Sequence, residues 1–156
     1  MTVKFVSGDL FLLPKCESFA QGCNARGVMG KGIALSFKRR WPAMYVAYRE
    51  GCLSGALKPG EVFVWRASDA LIFNAITQSS PGPHAKYEHV KQCLRCVAQV
   101  CSTDQLPRLA MPRIGAGIGG LEWVEIKKII VETFEGLTTE VFVVEDYISG
   151  VIPSEI

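Results

Sequence analysis

Pro112-Arg113-Ile114-Gly115-Ala116-Gly117-Ile118-Gly119-Gly120-Leu121 carries four glycines in six positions and lies between two apolar segments of different period. Before it, Leu109-Ala110-Met111-Pro112 reads as a short buried strand. After it, Val124, Ile126, Ile129, Ile130 and Phe134 recur at helical spacing over 124–134. A strand that runs into a glycine-rich loop and then a helix is the unit from which open α/β sheets build ligand sites, at the C-terminal ends of their strands. Such a loop can turn its amides inward as a nest for a pyrophosphate. The N–H groups and the helix dipole then bind the anion without needing Lys or Arg.

Working back along the chain, a second stretch has the same design. In Asn24-Ala25-Arg26-Gly27-Val28-Met29-Gly30-Lys31-Gly32-Ile33-Ala34, three glycines within six residues follow the apolar strand 18–23 and lead into a helix over 33–40. Glycine permits close approach of backbone to ligand, and a helix N-terminus offers unpaired N–H groups to oxygen-rich partners. Pro42 and Gly51 punctuate a further helix over 43–52. The segments 61–65 and 70–76 are rich in β-branched and aromatic residues around Arg66-Ala67-Ser68-Asp69, which predicts a hairpin. Tyr87, Val90, Leu94, Val97, Ala98 and Cys101 give a helix from residue 85 or 86 to residue 101. The segments 3–6 and 140–144 complete the strands. Helices alternate with apolar strands, so the expected architecture is a three-layer α/β/α sandwich on a central mixed sheet.

Composition narrows the function classes. The chain has 156 residues, 49% hydrophobic, enough for one sizeable core, so residues 1–156 are expected to form a single domain. Seventeen Lys+Arg against fifteen Asp+Glu give a net charge of +2, far from the balance of a protein that binds chiefly by neutralising a phosphate backbone. Lys38-Arg39-Arg40-Trp41 is a small basic cluster best read as the polar end of a helix, favourable at its negative dipole terminus. No segment approaches a spanning helix, so a cytoplasmic, monomeric protein without a membrane partner is expected. The six cysteines are expected as reduced thiols. Cys93 and Cys96 have CxxC spacing inside a helix, which would place both on one packed face; no second pair completes a metal set, and no metal or cofactor is expected. Neither glycine loop has the Gly-Lys-Ser/Thr of a P-loop or the spacing of a dinucleotide fingerprint, which argues against nucleotide triphosphate hydrolysis and hydride transfer.

Gly8-Asp9-Leu10, Gly22-Cys23-Asn24, the run from Gly27 to Ala34, and Met111 to Trp123 together resemble the motifs of macrodomains, which bind ADP-ribose. The likeness covers almost the whole chain in order, including Thr77-Gln78 and Pro81-Gly82-Pro83. It runs nearest to the branch of terminal ADP-ribose protein glycohydrolase, DNA ADP-ribose glycohydrolase antitoxins and ALC-like macrodomains. The resemblance implies that Asp9 accepts from the adenine amino group with Leu10 beside the ring, an aromatic such as Tyr147 flanking the base. It implies that Asn24 reaches the distal ribose, and that Gly30, Lys31, Gly32 and Ile33 wrap the proximal phosphate and that ribose. Gln78 joins the site, and Gly115, Ala116, Gly117, Ile118 and Gly119 cradle the pyrophosphate.

In that branch a lysine after the fourth strand attacks the anomeric carbon and an aspartate in the second glycine loop assists. The matching positions here are Gln78 and Gly119, and a carboxamide cannot form a Schiff base. Lys31 and Lys86 are lysines within reach of such a site, and His84 and His89 are further acid–base candidates; for His89 a solvent-facing place on its helix is the plainer reading. Catalysis without a nucleophile would rest on a water positioned by Asn24 and the glycine loops. Two functions are therefore expected: hydrolysis of ADP-ribosyl linkages to protein, to acetyl or to nucleic acid, with Asn24 and Lys31 as catalytic candidates, or ADP-ribose binding without chemistry.

Overall fold

The computed structural model describes residues 2–154. Residue 1 and residues 155–156, the ends of the span expected to form one domain, lie outside the described residues.

Six strands and four helices follow one another as β1 (Val3–Gly8), β2 (Ser18–Asn24), α1 (Gly32–Arg40), α2 (Pro42–Leu53), β3 (Val62–Arg66), β4 (Leu71–Gln78), α3 (Tyr87–Thr103), β5 (Arg108–Met111), α4 (Trp123–Phe134) and β6 (Glu140–Tyr147). One 3-10 turn over Leu10–Leu12, which hydrophobic periodicity does not reveal, follows β1. The sheet order is β1-β6-β5-β2-β4-β3. All neighbours are parallel except β3, which pairs antiparallel with β4 at the edge, Phe63 opposite Asn74. The hairpin and the mixed sheet are as the sequence predicts.

Alternation along each strand divides the core in two. Val141 and Val143 face one way with Phe73, Leu109 and Met111, under Leu94 and Val97 of α3 and Ile126, Ile130 and Phe134 of α4. Phe142 and Val144 face the other way with Phe19 and Ile72, under Phe37 of α1 and Met44 and Tyr48 of α2. Two helices on each face make the three layers. β4 is buried along its entire length, as a strand covered on both faces must be. Fully buried phenylalanines such as Phe73, Phe134 and Phe142 each contribute roughly 1.5–3 kcal/mol of transfer free energy.

Two local choices aim the chain at the site. α1 ends in Lys38, Arg39 and Arg40, placed to favour its negative dipole terminus, and Pro42 opens α2 at its first turn. β2 and β5 are adjacent in the sheet, yet the chain leaves β2 for α1 and α2 on one face and leaves β5 for α4 on the other. The two glycine loops thus diverge from neighbouring strand ends and open a crevice between them.

The cysteine pair is corrected by the structure. Cys93 packs in the core beneath α3, but Cys96 is exposed. Three residues turn a helix by about 300°, so i and i+3 share a face only approximately and the rim of the buried stripe falls between them. All six cysteines are free thiols.

Candidate functional site

A cleft of about 510 Å³ opens at the C-terminal ends of β2, β4, β5 and β6, between the loop after β2 and the loop after β5.

The loop after β5 holds itself by its own hydrogen bonds: Ala116 N donates to Arg113 O, Gly120 N to Gly117 O and Leu121 N to Gly115 O. Among the described residues the amides of Gly115, Gly117, Ile118 and Gly119 donate to no protein acceptor. All four residues line the cleft. Gly115 has φ +79, a backbone that L side chains rarely adopt. Gly117 differs: a Cβ built there meets no atom within 4 Å, so its lack of a side chain leaves open space and not a conformational need. At Gly119 a Cβ would sit 2.7 Å from Gly115 O and 2.9 Å from the Ala85 Cβ. The position that the resemblance gives to an aspartate therefore has no room for one.

The opposite wall is the loop after β2 and the start of α1. Asn24 shapes it. Its Oδ1 accepts from Arg26 N at 3.0 Å and Val28 N at 3.3 Å, while its Nδ2 donates to Val28 O at 2.9 Å. These bonds fold the loop back on itself and leave one Nδ2 proton for a ligand. Beneath it, the buried Tyr48 hydroxyl donates to Asn24 O at 2.5 Å, and burial pushes that phenol well above the usual tyrosine range. The loop ends at α1, whose N-cap residue, Lys31, makes no side-chain cap. The first-turn amides of Gly32, Ile33 and Ala34 consequently face the cleft uncapped. Lys31 itself is exposed at the mouth.

Gln78 and Asn24 form the polar end of the cleft. They are register partners of β4 and β2, and Ala25 N donates to Gln78 O at 2.9 Å. Tyr147, last residue of β6, lines the other end. Its ring meets Phe11 edge-on at 6.5 Å, and desolvation together with the Asp9 carboxylate pushes its phenol up.

The structure thus brings Asn24, Gly30, Lys31, Gly32, Ile33, Gln78, Gly115, Gly117, Ile118, Gly119 and Tyr147 around one cleft. Three expected residues stand back from it. Asp9 is buried and caps the 3-10 turn, its Oδ1 accepting from Phe11 N at 3.0 Å and its Oδ2 from Gly150 N at 2.9 Å. Leu10 is fully buried in the core under α1 and α2 and does not line the cleft. Ala116 packs against the core under α3 and α4 and points away from the cleft wall. Of the further acid–base candidates, Lys86 and His84 are exposed outside the cleft lining. His89 is half-buried in place of facing solvent, with its Nδ1 buried and unpartnered.

Glu145 is a cleft residue that sequence reasoning missed. Trp123 Nε1 donates to its Oε2 at 2.9 Å, Lys127 Nζ lies 3.1 Å away, and these hold the carboxyl below the usual range despite partial burial. Arg113, also on the cleft lining, donates to Glu145 O at 2.7 Å and pairs with Asp146. Cys23 lines the floor with its thiol pushed up by burial, and is thus no ready nucleophile. Among the described residues no group of three His, Cys, Asp or Glu side chains is placed to hold a metal ion. Nor is any described helix long and apolar enough to cross a membrane.

Comparison with known proteins agrees with this geometry. The Macro domain family matches residues 20–130. The DNA ADP-ribosyl glycohydrolase of Thermus aquaticus is 38% identical over 150 residues, covering 92% of this chain and 41% of that protein. The human ADP-ribose glycohydrolase OARD1 is 30% identical over 141 residues and covers 90% of each chain. The solved macrodomain of Thermus aquaticus DarG superposes with a TM-score of 0.83 at 36% identity, covering 92% of this chain and 97% of that one. The chain spans about two fifths of the length of the bacterial glycohydrolases it matches. With a family match over most of its length, two glycine loops at adjacent strand ends and the mixed six-stranded sheet, the chain belongs to the Macro domain family.

Proposed function

We propose that the cleft binds ADP-ribose and that the chain hydrolyses ADP-ribosyl linkages with a positioned water. The observation that carries the reading is the set of unpaired amides at Gly115, Gly117, Ile118 and Gly119, facing the uncapped first turn of α1. Two adjacent phosphates match this wall of donors, which needs no cation to complete it. The aromatic end at Tyr147 suits a base, and the amide end at Asn24 and Gln78 suits a sugar. The relatives named as glycohydrolases support hydrolysis of the bond at that sugar.

Catalysis here cannot follow the lysine route. Gln78 has no nucleophilic amine, and Gly119 leaves no space for an assisting carboxylate. What remains is positioning: the loops fix the diphosphate and ribose, Asn24 and Lys31 bound the ribose, and a water attacks the anomeric carbon as its bond to the carrier breaks, the water's proton leaving with the carrier group. The same two replacements favour a second reading, an ADP-ribose reader without turnover.

The DNA-directed relative supports nucleic acid as the carrier of the ADP-ribosyl group. So does the last turn of α1, where Lys38 lies over the Tyr45 ring at 4.3 Å, Arg40 over the Phe11 ring at 4.1 Å, and Arg39 is exposed. That residues 1–156 form one domain, monomeric and in the cytoplasm, remains part of the proposal.

Incubation with ester-linked, glycosidically linked and nucleic-acid-linked ADP-ribosyl substrates tests it. Release of ADP-ribose from one linkage supports the hydrolase and names its chemistry. Tight ADP-ribose binding with no release from any linkage makes the chain a reader.

A further inference from the structure

The cleft contains one side chain whose polarity is fixed by its neighbours. Gln78 Nε2 lies 2.7 Å from Ser80 O and 2.7 Å from Gly82 O. Two carbonyls consume both amide protons, so the carboxamide has a single orientation, with nitrogen toward the turn after β4 and oxygen away from it. A flipped amide would set Oε1 against both carbonyls. The remaining atom, Oε1, accepts from no described protein donor and lies 3.1 Å from where a Cβ on Gly119 would stand. It therefore lies beside the second glycine loop, at the polar end of the cleft that Gln78 shares with Asn24.

We propose that Gln78 is a specificity-determining residue that selects a hydroxyl-bearing group at this end of the cleft and rejects an anionic one. The inference rests on the ADP-ribose reading above and adds which atom reads the terminal sugar. A locked carbonyl oxygen can only accept. A ribose hydroxyl can donate to it, whereas a phosphate or carboxylate brings oxygens with no proton to offer and meets Oε1 as a like dipole. The rest of the cleft wall has the opposite sense, since the amides of Gly115, Gly117, Ile118 and Gly119 and the first turn of α1 are donors. Donors at the middle, and at the end a fixed acceptor beside the one free Asn24 Nδ2 proton, sort a ligand by where its negative charge stops. A diphosphate followed by a neutral sugar fits, and a sugar carrying a further terminal phosphate does not. The side chain is largely buried, with Oε1 the atom left open to a ligand.

The test is calorimetric titration of wild type and Gln78→Met with three ligands: ADP-ribose, ADP, and ADP-ribose phosphorylated on the anomeric hydroxyl. Methionine keeps the length and bulk but offers only a weak acceptor. Wild type is expected to bind ADP-ribose at least tenfold more tightly than either other ligand. In Gln78→Met, ADP-ribose binding should weaken about tenfold while ADP changes less than twofold and the penalty on the phosphorylated ligand shrinks. A merely structural role for Gln78 would weaken ADP-ribose and ADP together, and that outcome overturns the inference. Should Gln78→Met fail to fold, the wild-type ranking decides alone: equal affinity for ADP-ribose and its phosphorylated form refutes a hydroxyl-selecting acceptor. Absence of ADP-ribose binding by folded wild type would instead sink the functional reading on which the inference stands.

Discussion

Gly117→Glu separates the binding wall from the fold because of what surrounds that position. A Cβ there meets nothing within 4 Å and the backbone is outside the left-handed region, so a side chain enters without strain. The residue is exposed on the cleft lining, between the free amides of Gly115 and Ile118. A glutamate carboxylate would come within about 5 Å of a bound diphosphate. At an effective dielectric of about 20 the repulsion is roughly 3 kcal/mol per unit charge, enough for at least a hundredfold loss of affinity. Gly117→Ala adds a methyl but no charge and should bind within about threefold of wild type. The assay is calorimetric titration of all three proteins with ADP-ribose, alongside their melting temperatures. Loss in the glutamate variant alone, with unchanged melting, is the expected pattern. Wild-type affinity in a folded Gly117→Glu protein would refute the placement of the diphosphate.

Other perturbations read other parts of the structure. Gly119→Asp, which supplies the aspartate that the resemblance assigns to this position, should gain no turnover and should destabilise by about 1–3 kcal/mol, because its Cβ would press on Gly115 O; a melting temperature equal to wild type would contradict this. Tyr48→Phe leaves Asn24 O with only the weak Cys52 thiol as a side-chain donor and should cost about 1 kcal/mol, lowering the melting temperature by several degrees and weakening ADP-ribose binding through a looser first loop; an unchanged melting curve would count against the brace. Of the six thiols, Cys96 alone should react quickly with a disulfide reagent at pH 8. Burial pushes Cys16 up to about 11, Cys93 to about 12 and Cys101 to about 11, and raises Cys23 and Cys52 as well; two or more fast thiols would be inconsistent with the packing. Glu145 has its folded value lowered by the Trp123 N–H and Lys127, so its stabilising contribution is complete above the ordinary glutamate range near ~4.3 and is lost as pH falls through the lowered value. Glu145→Gln should flatten the acid side of the stability profile, and an identical slope in both proteins would rule out that contribution.

The layered fold was legible because its strands and helices keep clean periods: β4 is apolar from Leu71 to Ile76 apart from Asn74, α3 holds Val90, Leu94 and Val97 on one face, and Gly or Pro marks the joints. The cleft was legible as two glycine loops at strand ends. Three things were not. A glycine run does not say which glycines are needed for conformation, as Gly115 is, and which only leave space, as Gly117 does. Side chains such as Asn24 and Asp9 look like ligand contacts in sequence, yet much of their bonding capacity goes to folding the adjacent loop, because short polar groups bond nearby backbone most readily. Glu145 was hidden because it sits on an apolar strand, and its partners Trp123 and Lys127 arrive from a helix about twenty residues earlier. The helical CxxC failed for a related reason: spacing assigns an approximate face, and only the tilt of α3 on the sheet decides that Cys93 is inside and Cys96 outside.

The central claim is that backbone amides of the second glycine loop hold the diphosphate of ADP-ribose. An amide-resolved ¹H–¹⁵N titration of the full chain with ADP-ribose tests it most directly. The account predicts saturable, large shifts at Gly115, Gly117, Ile118 and Gly119, with smaller ones at Gly32 and Ile33 in the first turn of α1. Saturable binding that leaves those amides unmoved, or no binding at all, would contradict it.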